Sequence, residues 1–250
     1  MTDRPWEQFL TEQDRAVFKA AGYRQPMGFG KRPAVLVVDV TYDFCGDQPE
    51  PILDSIKRWP NSCGEAAWRA MPHIRSLVDA ARKRGAPVIY SRNGYRSDGW
   101  DFGSWRWKAG RIDESRPMDE RTLAAKPNID GSAIVADIAP GPKDIVVNKL
   151  KPSAFHGTPL TDHLTLLGVD SLIICGVSTS GCVRATVIDA FSSNYRIALA
   201  VDACFDRSEV SHAINLMDME AKYADLLPSA DIIAFLATVP QGSYDLPEGL

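Results

Sequence analysis

Two hydrophobic periods alternate along the chain. Ala34-Val35-Leu36-Val37-Val38, Val88-Ile89-Tyr90, Ile145-Val146-Val147, Leu172-Ile173-Ile174-Cys175 and Ile197-Ala198-Leu199-Ala200-Val201 are short, unbroken apolar runs with many β-branched residues. Runs of that length and composition predict strands buried on both faces. Between them the spacing lengthens. Ala67, Ala70, Met71, Ile74, Leu77, Val78 and Ala81 form one stripe over residues 66–84, with Gly85 as a stop, the pattern of an amphipathic helix. Further helices are predicted over 159–168 (Thr158 as N-cap, Pro159 first), 182–194, 209–223 and 229–238 (Ser229 as cap), with a short sixth strand at 224–227. Strand and helix alternate throughout, which predicts an α/β protein: a three-layer α/β/α arrangement around a six-stranded, mainly parallel sheet.

Three stretches lack a clean period. Residues 1–30 carry a moderate helical signal (Trp6, Phe9, Leu10, Val17, Phe18) and end in Gly28-Phe29-Gly30, so they read as an N-terminal helical extension whose aromatics need either the protein's own core or a second subunit. Residues 31–240 then form the main domain and 241–250 a tail. Residues 48–62 hold three prolines and read as a long irregular loop. Residues 91–126, with Trp100, Trp105 and Trp107, read as a second one, its tryptophans either a substrate wall or anchors of the loop.

Composition narrows the partners. The 250 residues carry 28 Lys+Arg against 32 Asp+Glu and no basic run, which argues against nucleic acid or an anionic membrane and for a small-molecule substrate. No apolar stretch reaches membrane-spanning length and the first residues are polar, which predicts a soluble cytoplasmic protein. Five cysteines without a C-x-x-C pair fit a reducing compartment and packed thiols rather than a disulfide framework.

Reactive side chains then stand out by position. In an open parallel sheet, ligands gather outside the carboxyl ends of the strands. Asp39 closes the first run, where a carboxylate needs work or a partner; capping a neighbouring turn is the plainer reading. Lys149 closes the third run and suits stabilising an anion, whereas Lys151 lies in a polar loop and reads as solvated. Cys182 follows the fourth run at a strand-to-helix elbow, where unpaired N–H groups and the positive helix end favour a thiolate. His73, His156, His163 and His212 show no ligand spacing, which predicts no metal and an ordinary structural role for each.

The motifs around these residues carry a resemblance. Asp39-Val40-Thr41-Tyr42-Asp43-Phe44, Lys149-Leu150-Lys151-Pro152-Ser153-Ala154-Phe155 and Gly176-Val177-Ser178-Thr179-Ser180-Gly181-Cys182-Val183 resemble the signatures of the isochorismatase-like cysteine hydrolases: an Asp after strand one, K-x-x-x-S-x-F, and G-x-x-T-x-x-C-V. Thr41 stands where Gln is common. Thr179 to Thr186, Cys204-Phe205-Asp206-Arg207 and Lys222-Tyr223-Ala224-Asp225 look most like the N-carbamoylsarcosine and maleamate amidohydrolase group. The resemblance implies a catalytic triad of Asp39, Lys149 and Cys182, an oxyanion site from the N–H groups of Ser178 and Cys182 with a cis peptide between Val177 and Ser178, and Arg207 on a substrate carboxylate, with Val177 and Thr179 also against the substrate. It implies no cofactor and a homodimer or homotetramer. Metal-dependent nicotinamidases are disfavoured, because Ser91-Arg92-Asn93-Gly94-Tyr95 follows strand two in place of their Asp and His ligands, and Cys182 separates the chain from ether-cleaving isochorismatases. Left open are another ureide, biuret-like or lactam hydrolase, and a catalytically silent scaffold. A nucleotide-binding oxidoreductase would need a Gly-rich turn after strand one, and Asp39 to Phe44 contains no glycine.

Overall fold

Apolar runs that must hide both faces become the middle layer of the molecule. In the computed structural model, which describes residues 4–96, 98–108 and 129–249, they are β1 (Pro33–Val38), β2 (Val88–Asn93), β3 (Ile145–Lys149), β4 (Ser171–Val177), β5 (Arg196–Phe205) and β6 (Asp225–Leu227). The spatial order is β3-β2-β1-β4-β5-β6, and every neighbouring pair is parallel. The chain leaves β1 toward β2 and leaves β4 toward β5, so the crevice between their carboxyl ends is the topological switch point.

The helices are α1 (Glu12–Ala20), α2 (Tyr42–Cys45), α3 (Ile52–Arg58), α4 (Glu65–Arg84), α5 (Trp105–Lys108), α6 (Leu160–Leu166), α7 (Arg184–Ser192), α8 (Glu209–Lys222) and α9 (Ser229–Leu236). Alternate residues of β1 serve opposite layers. Val35 and Val37 pack with Ile74, Leu77, Ile232 and Leu236 of α4 and α9. Ala34, Leu36 and Val38 pack with Leu160, Leu164, Val187 and Leu216 of α6, α7 and α8. None of the described helices is long and apolar enough to cross a membrane.

The N-terminal arm meets the protein's own core through Trp6, which is buried in the second cluster beside Leu10. Phe9, Val17 and Tyr23 stay exposed. Ion pairs from Arg4 and Arg24 to Glu220 hold the arm on α8.

Several boundaries depart from the sequence pattern. Residues 48–62 are not wholly irregular: α3 starts after Pro51, and the buried Ser55 hydroxyl donates to Ser62 at 2.8 Å. Seven residues are too few for a helical period to show. Strand β5 runs on to Phe205 after a register shift, Ile174 facing Leu199 but Gly176 facing Cys204. Pro159 and Pro228, not Thr158 and Ser229, occupy the cap positions of α6 and α9. Thr158 still accepts the Leu160 N–H at 3.2 Å, while the Ser229 N–H goes to Asp202 at 2.9 Å.

Candidate active site

Three strand ends supply the reactive groups. Asp39 leaves β1 at φ 53°, a left-handed conformation that Asp tolerates better than most residues. Its carboxylate is fully buried. One oxygen accepts from Ser91 Oγ at 2.9 Å, and the other lies 2.7 Å from Lys149 Nζ. Lys149, the last residue of β3, is 2% exposed, and its ammonium also donates to the Lys151 carbonyl at 3.0 Å and to Cys182 Sγ at 3.4 Å. An ammonium has three hydrogens to give. Two go to the Lys151 carbonyl and Cys182 Sγ, and Asp39 faces the same ammonium as an ion-pair partner.

Burial sets the charge states. It pulls Lys149 toward the neutral amine, but the Asp39 carboxylate and Cys182 overcome it and hold the lysine pKa above its ordinary value. Burial, and then the Asp39 charge, push the Cys182 thiol up to about 12 against the pull of Lys149. Burial therefore works against the helix-stabilised thiolate that the sequence suggests and favours the thiol form of Cys182. Loss of solvation outweighs a helix end, and the regular helix α7 begins only at Arg184.

Local backbone geometry explains the elbow. Gly176, in β4, stands at φ 113°, and a Cβ there would lie 2.2 Å from the Val38 carbonyl oxygen, so only glycine lets β4 approach β1 so closely. The Val177–Ser178 peptide is cis. Thr179–Val183 then form a π turn, in which Ser178 O accepts from Gly181 N at 2.9 Å and from Val183 N at 3.1 Å, the second being the i→i+5 bond of that geometry. Neighbouring elements clamp the turn. Asp206 accepts from both the N–H and the hydroxyl of Ser180 at 2.7 Å. Thr186 donates to the Cys182 carbonyl at 2.7 Å and accepts from Ala154 N at 3.0 Å, tying the Lys149 to Phe155 stretch to the backbone of Cys182.

The remaining sequence candidates fall in different places. Ser178 is buried at the mouth of the turn, and Val177 is fully enclosed in the sheet. Thr179 is fully buried too, its hydroxyl 3.2 Å from Phe205 O and 2.8 Å from His212 Nδ1. Its side chain, expected against the substrate, is committed to the protein interior. Arg207 is exposed on the loop after β5. One of its N–H groups donates to Asn61 O, and its guanidinium lies 5.5 Å from the centre of the Phe44 ring.

Ser91, Tyr95 and Asp206 enter the sequence reading only as members of motif stretches and His212 only in an ordinary structural role, so none of the four is assigned to the site there. Tyr95 Oη donates to Leu150 O at 3.1 Å, with Trp105 Nε1 at 3.4 Å from the same carbonyl, which lays this loop against the end of β3. Burial pushes the Tyr95 phenol up to about 12, with Lys149 pulling it down. Trp100 and Trp107 are exposed; residues 109–126 of the proposed wall lie outside the described residues. Cys45, Cys63, Cys175 and Cys204 are buried free thiols. Among the described residues no three His, Cys, Asp or Glu side chains converge as metal ligands.

The geometry has relatives. N-carbamoylsarcosine amidase of an Arthrobacter species is 30% identical over 244 residues, covering 96% of this chain and 84% of that protein. Maleamate amidohydrolase of Pseudomonas putida is 29% identical over 208 residues, 83% of this chain and 88% of that one. The structure of a cysteine hydrolase from Pseudomonas syringae pv. phaseolicola superposes with a TM-score of 0.69 at 25% identity, over 87% of this chain and 97% of that chain. The isochorismatase domain model matches residues 33–231, a span that runs from the first residue of β1 into α9 and holds Asp39, Lys149 and Cys182; the chain belongs to the isochorismatase family.

Proposed function

We propose that this protein is a cysteine-dependent amidohydrolase that cleaves the C–N bond of a small carboxylated amide or N-carbamoyl compound and releases ammonia. The observation that carries the reading is the convergence of three side chains from separate strand ends, with Lys149 Nζ 2.7 Å from Asp39 and 3.4 Å from Cys182. The kinship to an N-carbamoylsarcosine amidase and a maleamate amidohydrolase supports the reaction class.

The charge states dictate the order of events. A thiol with a pKa of about 12 is a weak nucleophile at pH 7, so Asp39 takes its proton as sulfur attacks the amide or ureido carbon. Lys149 stays charged and steadies the sulfur as negative charge develops there. The carbonyl oxygen becomes an oxyanion, and the N–H groups of Ser178 and Cys182 at the turn receive it. Asp39 returns the proton to the nitrogen, ammonia leaves, and a thioester remains. Water activated by Asp39 then hydrolyses that thioester and restores the thiol. A ureido substrate thus yields a carbamate that loses carbon dioxide; a simple amide yields a carboxylate. Arg207 has donors beyond the one spent on Asn61, and its planar fork suits a substrate carboxylate.

Ammonia release is measured across carboxylated and neutral ureides and amides. The wild-type protein is expected to turn over carboxylated members, and Cys182→Ala to turn over none while keeping the native circular dichroism spectrum. Undiminished release by Cys182→Ala would sink the reading.

A further inference from the structure

His212 belongs to α8, outside the three strand ends, yet its ring reaches the first residue of the π turn. The three atoms involved fix the direction of each hydrogen bond. Thr179 Oγ1 lies 3.2 Å from Phe205 O and 2.8 Å from His212 Nδ1. A hydroxyl has one hydrogen, and a backbone carbonyl has none. Both contacts attract only when Thr179 donates to Phe205 and His212 donates Nδ1–H to Thr179. The opposite assignment leaves two oxygens facing each other, with Thr179 fully buried and no solvent to relieve them.

The surroundings of the ring favour a neutral side chain. Burial lowers the His212 pKa, and the Asp206 charge opposes that only in part. The ring also borders a cavity of about 280 Å³ that brings in Asp202, Asp206, Glu209, His73 and Arg69. Asp206 is already bound to Ser180 and to the Arg207 N–H, and Asp202 to Ser229 and His73.

We propose that His212, as its neutral Nδ1–H tautomer, is a positioning residue for the oxyanion site: through Thr179 it fixes the turn that carries the Ser178 and Cys182 N–H groups. The inference rests on the amidohydrolase reading above. The fix is one of three. Asp206 holds Ser180 and Thr186 holds the Cys182 carbonyl, while His212 alone of these three reaches Thr179, the residue that follows Ser178. Donors that meet charge only in the transition state act on turnover and leave substrate binding nearly alone.

The test compares three replacements. Asn places an amide N–H where Nδ1 stands, Gln places it where Nε2 stands, and Leu places none. His212→Leu and His212→Gln are expected to lower kcat for a carboxylated ureide by roughly ten-fold or more with KM within about two-fold, the signature of a lost transition-state contact. His212→Asn is expected to keep most of the wild-type kcat. In a Thr179→Val background, His212→Leu should add little, because its partner is already gone. Nitrogen-15 spectra of the wild-type protein read the tautomer without any variant, and should show a protonated Nδ1 and an unprotonated Nε2. A wild-type Nε2–H tautomer, equal kcat for the Asn and Leu variants, or a loss confined to KM would each overturn the proposal while leaving the triad reading intact. Failure of the wild-type protein to release ammonia from any member of the panel would overturn both.

Discussion

Lys149–Asp39 and Lys222–Asp218 are both lysine–aspartate pairs with 2.7 Å between the charged atoms. The first pair is buried, its side chains 2% and 0% exposed; the second, on the surface of α8, is 40% and 28% exposed. Length alone therefore says little about what an ion pair does. Water and salt screen the α8 pair, and its i,i+4 spacing is worth about 0.3–0.5 kcal/mol. No such screening reaches the pair at the strand ends, where each charge depends on the other and on Cys182. The buried pair is weak evidence for stability, since hydrophobic replacements of such pairs often stabilise. What it does is hold a carboxylate and a cation beside a thiol.

Breaking the buried pair from either side should give large and opposite effects on the thiol. Asp39→Asn removes the proton acceptor, and the expected loss of turnover is roughly 10²–10⁴-fold. It also removes a charge that raises the Cys182 pKa, so iodoacetamide should label Cys182 faster at pH 8 than in the wild-type protein. An unchanged labelling rate would show that Asp39 does not act on the sulfur. Lys149→Met should label more slowly, and it leaves a buried carboxylate without its cation, a loss of about 3–5 kcal/mol in urea unfolding.

The pH window of that loss follows from the signs. The folded pKa of Lys149 lies above its unfolded value, so its contribution is whole below about pH 10 and is lost as pH rises through the folded value. The raised Cys182 pKa acts in the same direction. The stability gap between wild-type and Lys149→Met should stay level from pH 7 to 9 and shrink only in strong alkali.

Arg207→Ala comes next in size. It should raise KM for carboxylated substrates by roughly ten-fold or more, the scale of a lost charge-assisted contact, with neutral amides unaffected. Equal effects on both would remove Arg207 from substrate recognition. The smallest effect belongs to Lys222→Ala: about 0.5 kcal/mol or less in unfolding and no change in kcat. A loss comparable to that of Lys149→Met would refute the contrast between the two pairs.

Much of the frame was legible in the sequence because short apolar runs and helical stripes have few alternative solutions. The positions of Asp39 and Lys149 were legible for a related reason: a charge that ends a buried run is conspicuous. Their convergence with Cys182 agrees with the resemblance of the surrounding motifs. What stayed hidden is long-range. Ser91 reaches Asp39 across 52 positions, Asp206 reaches Ser180 across 26, and His212 reaches Thr179 across 33, and no local period records such meetings. Each looks like an ordinary polar residue in its own segment. The thiolate expectation met an effect of the same long-range kind, since a helix end is visible in sequence whereas the burial of a sulfur among distant segments is not.

The absence of a side chain at Gly176 has a consequence for how this scaffold can diversify. Main chain lies directly on main chain at Val38, the residue before Asp39, and Gly176, which leads into the turn that carries Cys182, so the closeness of the two chain segments is inherited from peptide geometry, not from packing that drifts as residues change. The surface loops can then change in sequence while the two segments that carry Asp39 and Cys182 stay seated against each other.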